Sequence, residues 1–139
     1  MIDFQNNTDL EIQLEDIEKI VKYLTNKNFE LIIVNNETIQ NINKQYRNID
    51  KATDVLSFPI ESISDDMPIG TIIISADKVK EGAKYFQHSI QDEFKLLLIH
   101  GLLHLLGYDH EIDDGEMRAK EEEIIKYFNL PSSLIVRNS

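Results

Sequence analysis

The stretch HSIQDEFKLLLIHGLLHLLGYDH, residues 88–110, is the segment that decides the fold of this chain. Ser89 followed by Asp92 is typical of a helix N-cap, with aspartate as a shorter substitute for the glutamate of a capping box. Gly107 is suited to the left-handed residue that ends a helix. Between these residues, apolar side chains lie on nearly every side, which indicates burial all round. The stretch therefore predicts a central helix around which the rest of the chain packs.

The flanking sequence predicts a single α+β domain over residues 1–139, with a small mixed sheet of about four strands packed with helices. Alternation, β-branched runs and amphipathic spacing indicate the order β-α-β-α-β-β-α-α-α, and residues 61–68 read as a polar loop. The strands are predicted over 1–6, 29–35, 53–59 and 70–75, and the other helices over 14–28, 36–47, 76–87 and 115–128.

Composition sets limits on the kind of protein. The chain has 139 residues and a net charge of −11, which repels phosphate backbones at long range, so an RNA or DNA ligand would need a local basic site. Cysteine is absent, which excludes disulfide partners and thiolate ligands. The N-terminal residues do not resemble a secretory signal, and the longest apolar runs are too short to span a membrane. We therefore expect a soluble, cytoplasmic protein.

Three histidines in the quoted stretch have the spacing of a metal site. His100 and His104 lie one helical turn apart on one face, and a turn at Gly107 would return His110 as a third ligand. Three neutral histidines leave a fourth position of Zn²⁺ open, as in catalytic sites. Nickel, copper or iron would also fit such a set. The fourth histidine, His88, lies one residue before the N-cap and is expected on the surface or in the cap.

Gly101 separates this pattern from the zinc peptidases. The extended metzincin motif carries a glutamate after its first histidine, and that glutamate accepts the proton of the attacking water. Here a glycine takes its place, so a metallopeptidase would need a non-standard base. Asp109 is a candidate for a hydrogen bond that orients a ligand. The acidic residues that follow it are expected to form a solvated turn.

Residues 46–59, YRNIDKATDVLSFP, together with the quoted stretch, resemble the YbeY family of bacterial rRNA maturation factors, over nearly the whole chain and in the same order. The resemblance implies a zincin-like arrangement and zinc ligation by His100, His104 and His110. It also implies that Arg47 is needed for activity. The segment around Asp54, Ser57 and Phe58 would form the strand beside the cleft.

The function implied by the resemblance is that of a zinc-dependent endoribonuclease specific for single strands. It would act in 3′-end maturation of 16S rRNA and in ribosome quality control, with rRNA, the small ribosomal subunit and ribosomal proteins as partners. The nucleophile stays open between the 2′-OH of the RNA and water activated at the metal. One departure is Thr71, where the family commonly has aspartate; its effect depends on whether that aspartate is structural or catalytic.

A local basic cluster makes an RNA substrate compatible with the acidic chain. Arg47 can pair with two phosphoryl oxygens, and Lys44 and Lys51 are candidate substrate contacts beside it. Tyr46 is a candidate for stacking on an unpaired base, whereas Phe58 is expected in the core. Two rival hypotheses are a metallopeptidase and a non-catalytic ribosome-associated assembly factor with a structural metal.

Overall fold

The fold is an α+β arrangement in which one mixed sheet packs against helices on both faces. The computed structural model describes residues 2–61, 64, 66–108 and 115–131. Its strands are β1 (Ile2–Asn6), β2 (Phe29–Val34), β3 (Val55–Pro59) and β4 (Gly70–Ser75). Its helices are α1 (Leu14–Leu24), α2 (Asn36–Arg47), α3 (Ala76–Phe86), α4 (Ile90–Leu105) and α5 (Glu116–Phe128). The predicted fold class and element order are confirmed.

The four described strands follow the spatial order β1-β2-β4-β3. The first three run parallel, and β3 pairs antiparallel with β4. Parallel neighbours need a crossover connection, which α1 provides between β1 and β2. Because β3 is an edge strand, Pro59 at its end does not interrupt the sheet. This edge strand also lies beside α4.

The two sheet faces carry different helices. One face holds the main core, where Leu97, Leu98 and Leu102 of α4 pack with side chains of β2, β4 and α1. The other face is covered by α2, and Ile39 packs there with Leu56 of β3. Ten residues of α4 are buried, so this helix is as central as its composition predicts.

Predicted element boundaries differ from those observed at a few ends. The helix predicted over 14–28 ends at Leu24, because Thr25 is extended and only its N–H bonds back, to Val21. The strand predicted from residue 53 begins at Val55, after a bond from the Val55 N–H to the Asp54 side chain (2.8 Å). Among the described helices, none is both long and apolar enough to cross a membrane.

Candidate active site

Both ends of α4 are fixed by the residues that the sequence singled out. The Ser89 hydroxyl accepts a hydrogen bond from the Asp92 N–H at 3.0 Å, as an N-cap should. At the other end, Gly107 has φ +99°. The Tyr108 N–H bonds to the Leu103 carbonyl (3.0 Å), and the Gly107 N–H to the His104 carbonyl (3.1 Å). This pair of bonds is a Schellman motif.

The Schellman turn orients the His104 ring through a hydrogen bond. It brings the Tyr108 carbonyl within 3.1 Å of His104 Nδ1. A carbonyl oxygen only accepts, so Nδ1 must carry the hydrogen and donate it. Nε2 of the same ring is then the unprotonated nitrogen, which is the form that a metal requires.

His100 and His104 face each other through their Nε2 atoms, which lie 3.2 Å apart. The two rings are nearly perpendicular, at 80°. Two nitrogens bound to one tetrahedral Zn²⁺ at about 2.0–2.1 Å would lie about 3.3 Å apart. The observed separation therefore fits a shared zinc ion. Both side chains are largely enclosed, and His100 is 12% exposed.

The histidine pair lies on the side of α4 between β3 and α5. Successive side chains on a helix are rotated by about 100°. Ile99 and Leu103 point toward α5, in an apolar cluster that includes side chains of that helix. Gly101 points toward β3. With this rotation per residue, the side chains of His100 and His104 project between the direction of α5 and the direction of β3.

Gly101 has a packing role that sequence reasoning did not find. A Cβ added there would lie 3.0 Å from Ile72 Cγ2 and 3.2 Å from Val55 Cγ2. The Ser57 hydroxyl also donates to the Gly101 carbonyl at 3.1 Å. Helix α4 thus approaches the sheet so closely that a larger residue would require its neighbours to shift. A peptidase-type glutamate at this position would enter the sheet interface.

The buried carboxylate of Glu121 was also missed. It is 1% exposed, and its Oε2 lies 3.6 Å from His100 Nδ1. In the sequence it is one of three consecutive glutamates. The available signal was its spacing from Met117 and Ile124, which puts it on the inner stripe of α5.

The basic residues at and after the end of α2 have exposed side chains. Arg47 is the last residue of α2 and is exposed. Within the described residues no hydrogen bond or ion pair joins it to a histidine, so the structure does not bring these predicted site residues into contact. Lys44 lies 3.8 Å from Asp50 in an exposed ion pair. Lys51 is exposed, and its carbonyl accepts a bond from the buried Asn43 side chain, which fixes the loop.

Tyr46 connects this basic end to β3. It is 67% exposed, and its ring packs edge-on against Phe58 at a centroid distance of 5.7 Å. Phe58 is partly buried against the core on the α2 side. The neighbouring Ser57 contacts α4 on the opposite face. Tyr46 and the histidine pair therefore lie on opposite faces of the same edge strand.

Thr71 lies away from the histidines. Its neighbour Ile72 faces Gly101, so Thr71 points to the other face of the sheet. There its hydroxyl donates to Glu30 Oε1 of the adjacent strand at 2.9 Å. This contact favours the structural interpretation of the position.

His88, expected on the surface or in the cap, lies next to the N-cap residue Ser89 with a largely buried side chain. Its side chain is 11% exposed, and its Nε2 lies 2.6 Å from Oε1 of Glu93, which is itself 2% exposed. Gly82 leaves the space that this carboxylate occupies between α3 and α4. Of the two expected locations for His88, the surface is therefore not observed, whereas a position beside the N-cap of α4 is, where the histidine pairs with a buried acid.

The predicted ligand His110 and the predicted supporting residue Asp109 lie outside the described residues. Within residues 2–61, 64, 66–108 and 115–131, no group of three potential metal ligands comes together. The described part of the chain thus supplies two of the three predicted ligands.

The fold and the site together define a small α+β domain whose central helix presents two facing histidines. A family model described as Endoribonuclease YbeY matches residues 2–129. An endoribonuclease YbeY from Nautilia profundicola is 61% identical over 138 residues, covering 99% of each chain. That from Aliarcobacter butzleri is 61% identical over 140 residues, covering 100% of each. A solution structure of a Thermotoga maritima protein has a TM-score of 0.63 at 29% identity, covering 93% of this chain and 92% of that one.

The chain belongs to the YbeY family of endoribonucleases. Membership assigns it endoribonuclease activity, the cleavage of phosphodiester bonds within RNA. It also speaks against the metallopeptidase and the non-catalytic assembly factor.

Proposed function

We propose that this chain is a zinc-dependent endoribonuclease specific for single-stranded RNA, acting in 3′-end maturation of 16S rRNA and in ribosome quality control in the cytoplasm. Its partners would be rRNA in the small ribosomal subunit and neighbouring ribosomal proteins. The observation that carries the proposal is the pair of Nε2 atoms of His100 and His104, facing each other at 3.2 Å.

The metal would be held by His100, His104 and His110. For His104, the Tyr108 carbonyl keeps the hydrogen on Nδ1, so Nε2 is available as a ligand without a prior proton loss. When bound, Zn²⁺ supplies a Lewis acid that polarises a phosphoryl oxygen and makes water acidic enough to deprotonate near neutral pH. Nickel or another divalent ion would fit the same nitrogens.

Arg47 would bind the phosphate backbone. Its exposed position at the end of α2 leaves the guanidinium accessible to two phosphoryl oxygens at once. Lys51 is also exposed and adds positive charge nearby. Lys44 contributes less, because Asp50 partly neutralises it. These positive charges form the local basic site that an acidic protein needs in order to bind RNA.

Single-strand specificity would come from Tyr46 at the edge of the sheet. An RNA strand passing around β3, which is an edge strand among the described residues, would contact the tyrosine on one face and the histidine pair on the other. The exposed ring offers a surface for one unpaired base, at about 1–3 kcal/mol. A base held in a duplex cannot stack there.

Cleavage of a labelled single-stranded 16S 3′-end precursor, with a duplex of the same sequence beside it, tests the proposal. We expect single-strand cleavage that a chelator abolishes and Zn²⁺ restores, and that is lost in the His100→Ala/His104→Ala double variant. Cleavage that persists in that variant, or with the chelator, contradicts the metal site. Equal cleavage of the duplex contradicts the specificity.

Arg47→Ala has a matched control in Arg118→Ala, since Arg118 is an exposed arginine on α5, paired with Glu122. We expect Arg47→Ala to weaken cleavage and leave zinc content unchanged, while Arg118→Ala keeps wild-type cleavage. Equal cleavage by both variants would remove Arg47 from the site.

Cleavage of the precursor only at positions away from the mature 3′ end would contradict the proposed role in 16S maturation.

A further inference from the structure

Glu121 is a charged residue in a stripe of apolar ones. Met117 and Ile124 of α5 are both fully buried and pack against α4, and Glu121 lies between them with 1% exposure. A carboxylate in such a position is costly unless a compensating charge or hydrogen-bond donor faces it. The burial of Glu121 on the inner face of α5 therefore indicates that its carboxylate has a role in a contact with α4.

That role is indicated by the contact with His100. Glu121 Oε2 lies 3.6 Å from Nδ1, the ring nitrogen that faces away from the His104 ring. At this distance the two atoms form a charge contact rather than a short hydrogen bond, and a carboxylate on this side of the ring favours the tautomer that carries its hydrogen on Nδ1. The Tyr108 carbonyl does the same for His104. Each histidine of the pair thus has an oxygen on its Nδ1 side, the Tyr108 carbonyl at 3.1 Å for His104 and the Glu121 carboxylate at 3.6 Å for His100.

We infer that Glu121 is a positioning residue for the metal centre: it orients His100, fixes its Nδ1–H tautomer and places one negative charge behind the ligand. The inference rests on the proposed function, since it takes His100 to be a zinc ligand. In carboxylate–histidine–metal arrangements the outer carboxylate makes the imidazole a stronger donor and holds its ring in place. The metal in turn supplies the positive charge that offsets burial of the acid.

Zinc affinity of purified protein, measured by competition with a chromogenic chelator, tests the inference independently of RNA cleavage. We expect Glu121→Gln to raise the dissociation constant for zinc about 10- to 100-fold. The matched control is Glu122→Gln, which removes the same charge from the next residue of α5, where the side chain is 50% exposed. Zinc affinity in that control should stay within about twofold of wild type.

A second variant separates positioning from a structural role. Glu121→Met fills the apolar stripe with a residue of similar length, so the metal-free protein should unfold at the same or a higher temperature than wild type. Its zinc affinity should nevertheless fall at least as far as in Glu121→Gln. A purely structural glutamate would instead lower stability in both variants and leave zinc affinity unchanged.

The outcomes distinguish this inference from the proposed function. Wild-type protein that binds no zinc would overturn the metal site and the role of Glu121 together. Wild-type protein that binds zinc, with both Glu121 variants binding it equally well, would overturn only the positioning role. Loss of affinity confined to the Glu121 variants supports both.

Discussion

Replacing Gly101 by alanine tests how closely α4 approaches the sheet. The added methyl would lie 3.0 Å from Ile72 Cγ2, 3.1 Å from Ser57 Oγ and 3.2 Å from Val55 Cγ2. These separations are shorter than ordinary van der Waals contacts of about 3.5–4.0 Å. Ile72 is fully buried in a paired strand, and Ser57 is bonded to the backbone of Gly101, so neither can move away freely.

Two effects of opposite sign determine how much Gly101→Ala changes the free energy of unfolding. Overpacking a well-packed interface costs about 1–3 kcal/mol. Alanine in place of a helical glycine returns about 0.5–1 kcal/mol through backbone entropy. Overpacking is therefore the larger effect. We expect the free energy of unfolding to fall by about 0.5–2 kcal/mol, which corresponds to a fall in Tm of about 2–8 °C for a chain of this length.

Urea denaturation of four proteins measures the effect: wild type, Gly101→Ala, Val55→Ala and the double variant. Val55→Ala removes one of the crowding methyl groups. The loss caused by Gly101→Ala should then be smaller in the Val55→Ala background, by about 0.5 kcal/mol or more. A Gly101→Ala protein as stable as wild type, or strictly additive losses, would refute the close-packing explanation of this glycine.

Three further changes have expected outcomes. Ser89→Ala should lower the free energy of unfolding by about 1 kcal/mol in urea titration, because the N-cap bond is lost. Gly107→Ala should cost about 1 kcal/mol or more, since φ is +99°, and should weaken zinc binding through His104. The Tyr23 hydroxyl lowers the pKa of Glu123 by hydrogen bonding, a stabilisation present at neutral pH and lost as the pH falls through that pKa. The stability difference between wild type and Tyr23→Phe should therefore shrink in acid.

Much of the fold could be predicted because local signals agreed with one another. The Ser89 cap, the apolar surface of α4 and the left-handed Gly107 each indicate the same helix, and all three features are observed. Less was visible where a single residue leaves the helical conformation. The end of α1 at Leu24 follows from the extended conformation of Thr25, which helix periodicity through residue 28 does not reveal.

In the candidate site, too, features set by local geometry could be predicted, and features set by contacts between elements could not. The pairing of His100 with His104 follows from helix geometry alone, and the structure brings the two rings together. Glu121 was missed because its role depends on which face of α5 meets α4. The burial of His88 was not visible in the sequence because its partner, Glu93, occupies the space left by Gly82 on another helix. Contacts between elements distant in sequence carry no local pattern.

Anomalous diffraction at the zinc absorption edge, from crystals grown with Zn²⁺, tests the central claim most directly. If the three histidines bind one zinc ion, we expect one strong peak about 2.0–2.1 Å from Nε2 of both His100 and His104, with a nitrogen of His110 at the same distance. A peak elsewhere in the molecule, or none beside the two Nε2 atoms in crystals that contain zinc, would contradict it.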